Sequence, residues 1–146
     1  LSHTSWKGRF TVINKKPLFI VDGAHNAGAA DKMAESVRHY FNGKKLIYIM
    51  GVFADKEYKI VLEKTAHFAE KIYTIETPDN PRALPAEELA KAARVYNSSA
   101  ESTKSIKDAV EKAFSCAGDD ENSVILAFGS LSFIGALTNA VEEYVG

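Results

Sequence analysis

Apolar residues fall along this chain in two alternating rhythms. Near-continuous apolar runs at 17–22 (PLFIVD), 45–52 (KLIYIMGV), 71–77 (KIYTIET) and 123–130 (SVILAFGS) read as strands covered on both faces, the habit of parallel sheets. RFTVI at 9–13 alternates instead, with Phe10 and Val12 on one side, and predicts an edge strand or a hairpin arm. Between these runs the period lengthens to that of a helix. Residues 28–41 set Ala30, Met33, Ala34, Val37 and Phe41 on one stripe. Residues 105–117 do the same with Ile106, Ala109, Val110, Ala113, Phe114 and Ala117. Helices are predicted also over 57–69, 86–96 and 131–145. Pro85 leads in the second of these, and Glu87 and Glu88 stand in its first turn, where acids suit the helix dipole. Ser105 followed by Asp108 is a relative of the capping box. NSSAEST at 97–103 leaves one further short strand open.

Strand alternating with helix predicts an α/β fold, a Rossmann-like open and mostly parallel sheet with helices on both faces. LSHTSWKG at 1–8 is polar and irregular and reads as the remnant of an interdomain linker, leaving 9–146 as one domain. A chain of 146 residues can bury roughly 68–70% of its unfolded surface, so it needs no disulfide or metal to hold it. The formal net charge of −1 gives no reason to expect nucleic acid or an anionic membrane as partner. No apolar run approaches the roughly 20 residues of a membrane span, and no leader is visible, so the expected location is the cytoplasm. Cys116, the single cysteine, falls on the apolar side of a helix and reads as a small core residue. His3, His39 and His67 read as surface residues.

In open parallel sheets ligands gather outside the carboxyl ends of the strands. Four such ends carry polar groups here: Asp22 to Asn26, Phe53 to Lys56, Pro78 to Arg82, and Gly129 to Ser132. Each has a plain alternative. Asn26 could only cap the next helix, Lys56 could be a solvated lysine at a helix start, PDNPRALP could be punctuation around Arg82, and Ser130 could be an N-cap. Their convergence on one rim is what points to a site. Several chemistries lack their marks. GAHNAG misses the second glycine of the dinucleotide turn, NGKK precedes a strand where a P-loop would follow one, and FGSLSFIG is not a nucleophile elbow. No His or Cys spacing suggests zinc.

WKGRF (6–10), DGAHN (22–26), the lysine after GVFAD (51–55), PDNPRAL (78–84) and AFGSLSFIG (127–135) together closely resemble the C-terminal domain of the folylpolyglutamate synthase and dihydrofolate synthase family, within the Mur ligase superfamily. The likeness spans essentially the whole chain, with one departure: Ala27 stands where the family's turn usually continues with proline. That change should affect stiffness more than chemistry. The resemblance implies ATP-driven addition of L-glutamate to folate or dihydropteroate through an acyl phosphate. It also implies that the P-loop, the Mg2+ ligands and the folate site belong to an N-terminal domain of the same polypeptide, the whole acting as a monomer.

On that footing His25 and Asn26 face the reacting carboxyl and the incoming amine, and Arg9 and Asp22 serve the nucleotide's phosphates and ribose. Lys56, Arg82 and Ser130 hold glutamate carboxylates, and the domain alone should be inactive. Another Mur-type amino-acid ligase, or a Rossmann-like binding module without catalysis, are the other readings.

Overall fold

Period-two alternation decides which helix each strand residue meets. The computed structural model describes residues 10–55 and 57–146, and the backbone of 4–6. Arg9, Lys56 and His3 lie outside the described residues. The described strands are β1 (Thr4–Trp6), β2 (Phe10–Asn14), β3 (Leu18–Val21), β4 (Lys45–Met50), β5 (Ala69–Thr74), β6 (Glu101–Ser102) and β7 (Ser123–Phe128). They form one sheet in the order β1-β2-β3-β7-β4-β5-β6. The β1/β2 and β2/β3 pairs are antiparallel, and every other pair is parallel. The helices are α1 (Ala27–Tyr40), α2 (Tyr58–Thr65), α3 (Ala86–Arg94), α4 (Ile106–Ala117) and α5 (Ile134–Val145).

One face of the sheet presents Ile20, Leu46, Tyr48, Met50, Leu126 and Phe128, which pack with Met33, Val37, Leu62 and Leu89 of α1, α2 and α3. The opposite face presents Phe19, Val21, Ile47, Ile49 and Ile125 to Val110, Phe114, Leu137 and Val141 of α4 and α5. Adjacent residues on one strand thus enter different cores, which is why the central strands read as continuous apolar runs. The expected α/β architecture, helices on both faces, is the one observed.

Several boundaries differ. Residues 4–6, read as irregular, pair in register with β2 (Thr4 opposite Val12, Trp6 opposite Phe10), so β2 is a hairpin arm and β1 the edge. The open question at 97–103 resolves as the two-residue β6. The helix expected over 57–69 stops at Thr65 and passes through a 3-10 turn, Ala66–Phe68, into β5, which begins at Ala69 instead of 71. The caps fall where expected. Asn26 Oδ1 accepts from the Ala29 N–H at 2.9 Å. Ser105 Oγ accepts from the Asp108 N–H at 3.0 Å, and Asp108 Oδ2 accepts in turn from the Lys104 N–H at 3.0 Å. Cys116 is half-buried against the α4/α5 core, and His39 and His67 are exposed.

At the β6 edge Glu101 accepts from Lys71 Nζ at 2.9 Å and from Lys112 Nζ at 3.0 Å. The hydrogen bond from Lys71, then that from Lys112, hold its carboxyl below the usual carboxylate range. A folded-state pKa below the unfolded one gives stability that is present above the unfolded value and lost as pH falls through the folded value. Glu101→Gln is therefore expected to lower the melting temperature modestly at neutral pH, and the gap to wild type should close as the pH drops through and below the carboxylate range. Melting curves of both proteins across pH check this.

Candidate functional site

β7 comes last in the chain yet lies between β3 and β4. The chain leaves β3 for α1 on one face and β7 for α5 on the other, so a crevice opens at their carboxyl ends. The exits of β3, β4 and β7 meet there, joined by the loop after β5.

At the first exit, Asp22 continues the β3 ladder by donating its N–H to Ala127 O at 3.0 Å. Its Oδ1 then accepts from the Ala24 N–H at 2.7 Å, a local turn bond, and the residue is only 2% exposed. That turn throws His25 and Asn26 out to solvent. His25 Nδ1 lies 2.9 Å from Gly23 O. A carbonyl can only accept, so Nδ1 carries the proton and Nε2 is the nitrogen left for a ligand. Asn26 spends its carbonyl oxygen on the α1 cap, leaving its amide end to donate. The next residue, Ala27, donates its N–H to Glu57 Oε1 at 3.1 Å.

The β4 and β5 exits are sewn together by an antiparallel bridge between Phe53 and Ala83. Ala54 N–H donates to Arg82 O at 2.8 Å and Leu84 N–H to Val52 O at 3.0 Å. Arg82 lies over the Phe53 ring, 4.6 Å from its centroid, and forks onto Asp55 with Nε–Oδ2 at 3.1 Å and Nη2–Oδ1 at 3.0 Å. At the β7 exit Gly129 has φ 114°. Ser130 then starts the 3-10 turn Leu131–Phe133, its Oγ accepting from the Ser132 N–H at 3.2 Å and sharing a hydrogen bond with Ser132 Oγ at 2.8 Å.

These loops enclose a cleft of about 280 Å³ walled by His25, Phe53, Arg82, Ser130, Leu131 and Ser132. A larger hollow of about 680 Å³ lies beyond β5 and the start of α4. It is walled by acids and lysines together, Glu76, Asp79, Lys104, Lys107 and Glu143 among them; Pro78, Asp79 and Asn80 of the third polar loop border it, but none of the residues given a ligand-binding or catalytic role from sequence does. The smaller cleft has the more directed chemistry: a guanidinium, an imidazole and paired hydroxyls over an apolar floor, which suits a small carboxylate-bearing molecule.

Of the residues expected at the site, His25, Arg82 and Ser130 are brought together. Asp22 and Asn26 adjoin them but serve the turn and the helix cap, and Arg9 and Lys56 are not among the described residues. Sequence reasoning named the loops that carry Phe53, Asp55 and Leu131 but gave these residues no role of their own, and it passed over Glu57. The alternation of charge in ADKE was the only local sign of the two acids; Leu131 is 64% exposed at the cleft mouth, an apolar residue left open beside polar ones. Among the described residues no group of three His, Cys, Asp or Glu side chains is placed to hold a metal ion, and no described helix is long and apolar enough to cross a membrane.

An open α/β sheet with a polar cleft walled by crossover loops at its switch point defines the structural class. More narrowly, residues 8–131 match the family described as Mur ligase, glutamate ligase domain, and the chain belongs to that family. It is 28% identical over 142 residues to the dihydrofolate synthase/folylpolyglutamate synthase of Bacillus subtilis, a match covering 97% of this chain and 32% of that protein. E. coli FolC in complex with ADP superposes with a TM-score of 0.81 at 21% identity, over 96% of this chain and 32% of the other. A bifunctional folylpolyglutamate synthase/dihydrofolate synthase with Mn, AMPPNP and L-glutamate bound gives 0.77 at 25% identity, over 94% and 32%. The chain thus spans about a third of the length of the relatives it matches.

Proposed function

We propose that this chain is the glutamate-side domain of an ATP-dependent ligase that adds L-glutamate to folate or dihydropteroate, working against an N-terminal ATPase domain of the same polypeptide. The observation that carries this is the meeting of His25, Arg82 and Ser130 in one cleft at the switch point. Membership of the glutamate ligase domain family, and the L-glutamate held by one solved relative, support it.

In the reaction a carboxylate oxygen of the folate substrate attacks the γ-phosphorus and ADP leaves. The glutamate amine nitrogen then attacks the acyl carbon, and phosphate leaves as the amide forms. ATP, when bound, supplies the phosphoryl group that makes this possible. Asp22, an acidic acceptor at a strand end, fits the sugar hydroxyls in chemistry, and Arg9 would face the phosphates. Mg2+ and the remaining phosphate contacts are assigned to the other domain, as the resemblance to the family implies.

Arg82 and Ser130 hold the glutamate carboxylates, with Lys56 as a further cation. His25 Nε2, unprotonated in the neutral ring, accepts a proton from the glutamate ammonium and so frees the amine that attacks. The Asn26 amide donates to the reacting carboxyl. No covalent nucleophile is needed, because this chemistry is positioning and charge stabilisation.

The test is ATP-dependent transfer of labelled L-glutamate to a folate by the complete ligase, beside the 146-residue chain alone. Transfer is expected from the first, and neither transfer nor phosphate release from the second. Folate-stimulated phosphate release by the purified chain alone, or a complete polypeptide that transfers no glutamate, overturns the assignment.

A further inference from the structure

Two acids flank residue 56, and each is fastened to a different wall of the cleft. Asp55 takes the edge of the Arg82 guanidinium with both carboxylate oxygens, a fork that fixes the plane of the cation as well as its position. The Phe53 ring beneath closes off the remaining freedom. The Nη1 amino group of Arg82 makes no hydrogen bond among the described residues and is the part presented to a ligand. Glu57 reaches the other way, across 30 residues of sequence, to the Ala27 N–H, the first helical amide after the His25–Asn26 turn. An acid at that point also complements the positive end of α1.

Both acids are exposed, and exposed ion pairs contribute little to folding. Their effect is geometric. Close neighbours in sequence, Asp55 grips a cation on one wall and Glu57 the His25–Asn26 turn on the other.

We propose that Asp55 and Glu57 are positioning residues for the ligation, holding the Arg82 guanidinium and the His25–Asn26 turn at a fixed separation across the cleft. This rests on the ligase reading of the site. Loss of either acid leaves every group that touches substrate in place but lets one wall drift. Reactions that depend on alignment lose rate steeply with small misplacements. Turnover should fall while capture of glutamate does not, since Arg82 keeps its charge and sheds a competing carboxylate.

The experiment is a set of substitutions in the complete ligase, read by kcat and by KM for L-glutamate, with melting curves on the same samples. Asp55→Ala and Glu57→Ala are each expected to lower kcat about tenfold without raising KM. Glu57→Gln retains an acceptor for the Ala27 N–H and should stay within about twofold of wild type. Ala27→Pro removes the donor but presets the first helical turn, so it should keep kcat within about twofold of wild type and make the turn independent of Glu57. The double variant Glu57→Ala/Ala27→Pro should be no worse than Ala27→Pro, because the bond that Glu57 makes is already gone.

Full activity in both alanine variants, or additive losses in the double one, overturns the proposal. Amide exchange on the 146-residue chain decides the fastening separately from any activity. Protection at Ala27 should fall in Glu57→Ala, and unchanged protection overturns the Glu57 half even where the complete protein shows no ligase activity. Wild type inactive with Ala27 protection lost in Glu57→Ala sinks the ligase reading and the kinetic role with it, and leaves the fastening standing.

Discussion

Replacing His25 by alanine is expected to lower kcat of the complete ligase by about 100-fold or more, the range seen when a group acting in the transition state is removed. KM for ATP and the melting temperature should stay near wild type. The asymmetry follows from the geometry. His25 is exposed, and its one hydrogen bond among the described residues is the local contact from Nδ1 to Gly23 O. Deleting the ring therefore opens no core cavity and orphans no buried partner, which are the usual sources of large stability losses. The turn itself is held by Asp22 and by the Asn26 cap, neither of which the substitution touches. What disappears is Nε2, the ring nitrogen that does not contact Gly23 O, on a side chain that walls the cleft. Steady-state kinetics in ATP and in L-glutamate separately, with a melt on the same sample, check this. Near-normal turnover in the folded variant would return His25 to the role of a turn residue.

How much of this was legible in the sequence divides along a physical line. Apolar periodicity reports burial, and it located the central strands and their helices because burial on both faces is what it encodes. It failed where a boundary is set by a partner far away in sequence. α2 ends at Thr65, where its last carbonyl and those of Ala66 and Ala69 just beyond it are taken by other elements. Tyr48, buried in β4 with its phenol pushed well up by desolvation, donates to Thr65 O at 2.8 Å. The Asn97 amide donates to Ala66 O and Ala69 O, each at 2.8 Å. No window of the sequence around residue 65 contains that information.

The site divides in the same way. His25, Arg82 and Ser130 were readable because each lies just past a strand end, and strand ends were readable. Asp55 and Glu57 act through residues 27 and 30 positions away, and nothing near them in sequence marks those partners. Asp22 and Asn26 show the converse. Their residue types announced chemistry, and part of what they do is build the turn and cap on which the chemistry stands.

Gly129→Ala is expected to be the most damaging single substitution for stability, costing about 3 kcal/mol or more, which for a chain of this length is a fall of roughly 10 °C in Tm. Two independent penalties meet there. The backbone holds φ 114°, a region that L side chains rarely adopt. A Cβ at that position would also lie 2.4 Å from Gly51 O and 3.0 Å from Val52 Cγ1. The first of these is main chain, and it cannot step aside. β4 and β7 are paired in register up to Met50 and Phe128, and the Gly51 N–H continues the ladder to Phe128 O at 3.4 Å. Relief requires parting the two strand exits that carry Phe53 and Ser130, so activity should fall with stability. Gly51→Ala is the internal comparison. The atoms nearest its Cβ would be Ile75 Cγ1 and Cδ1 at 2.8 and 3.0 Å and the Thr77 methyl at 3.2 Å, side chains and not main chain, and no positive φ adds to the cost. Melting of both variants decides it: if Gly129→Ala loses no more than Gly51→Ala, the β7 exit relaxes freely and does not hold the cleft in shape.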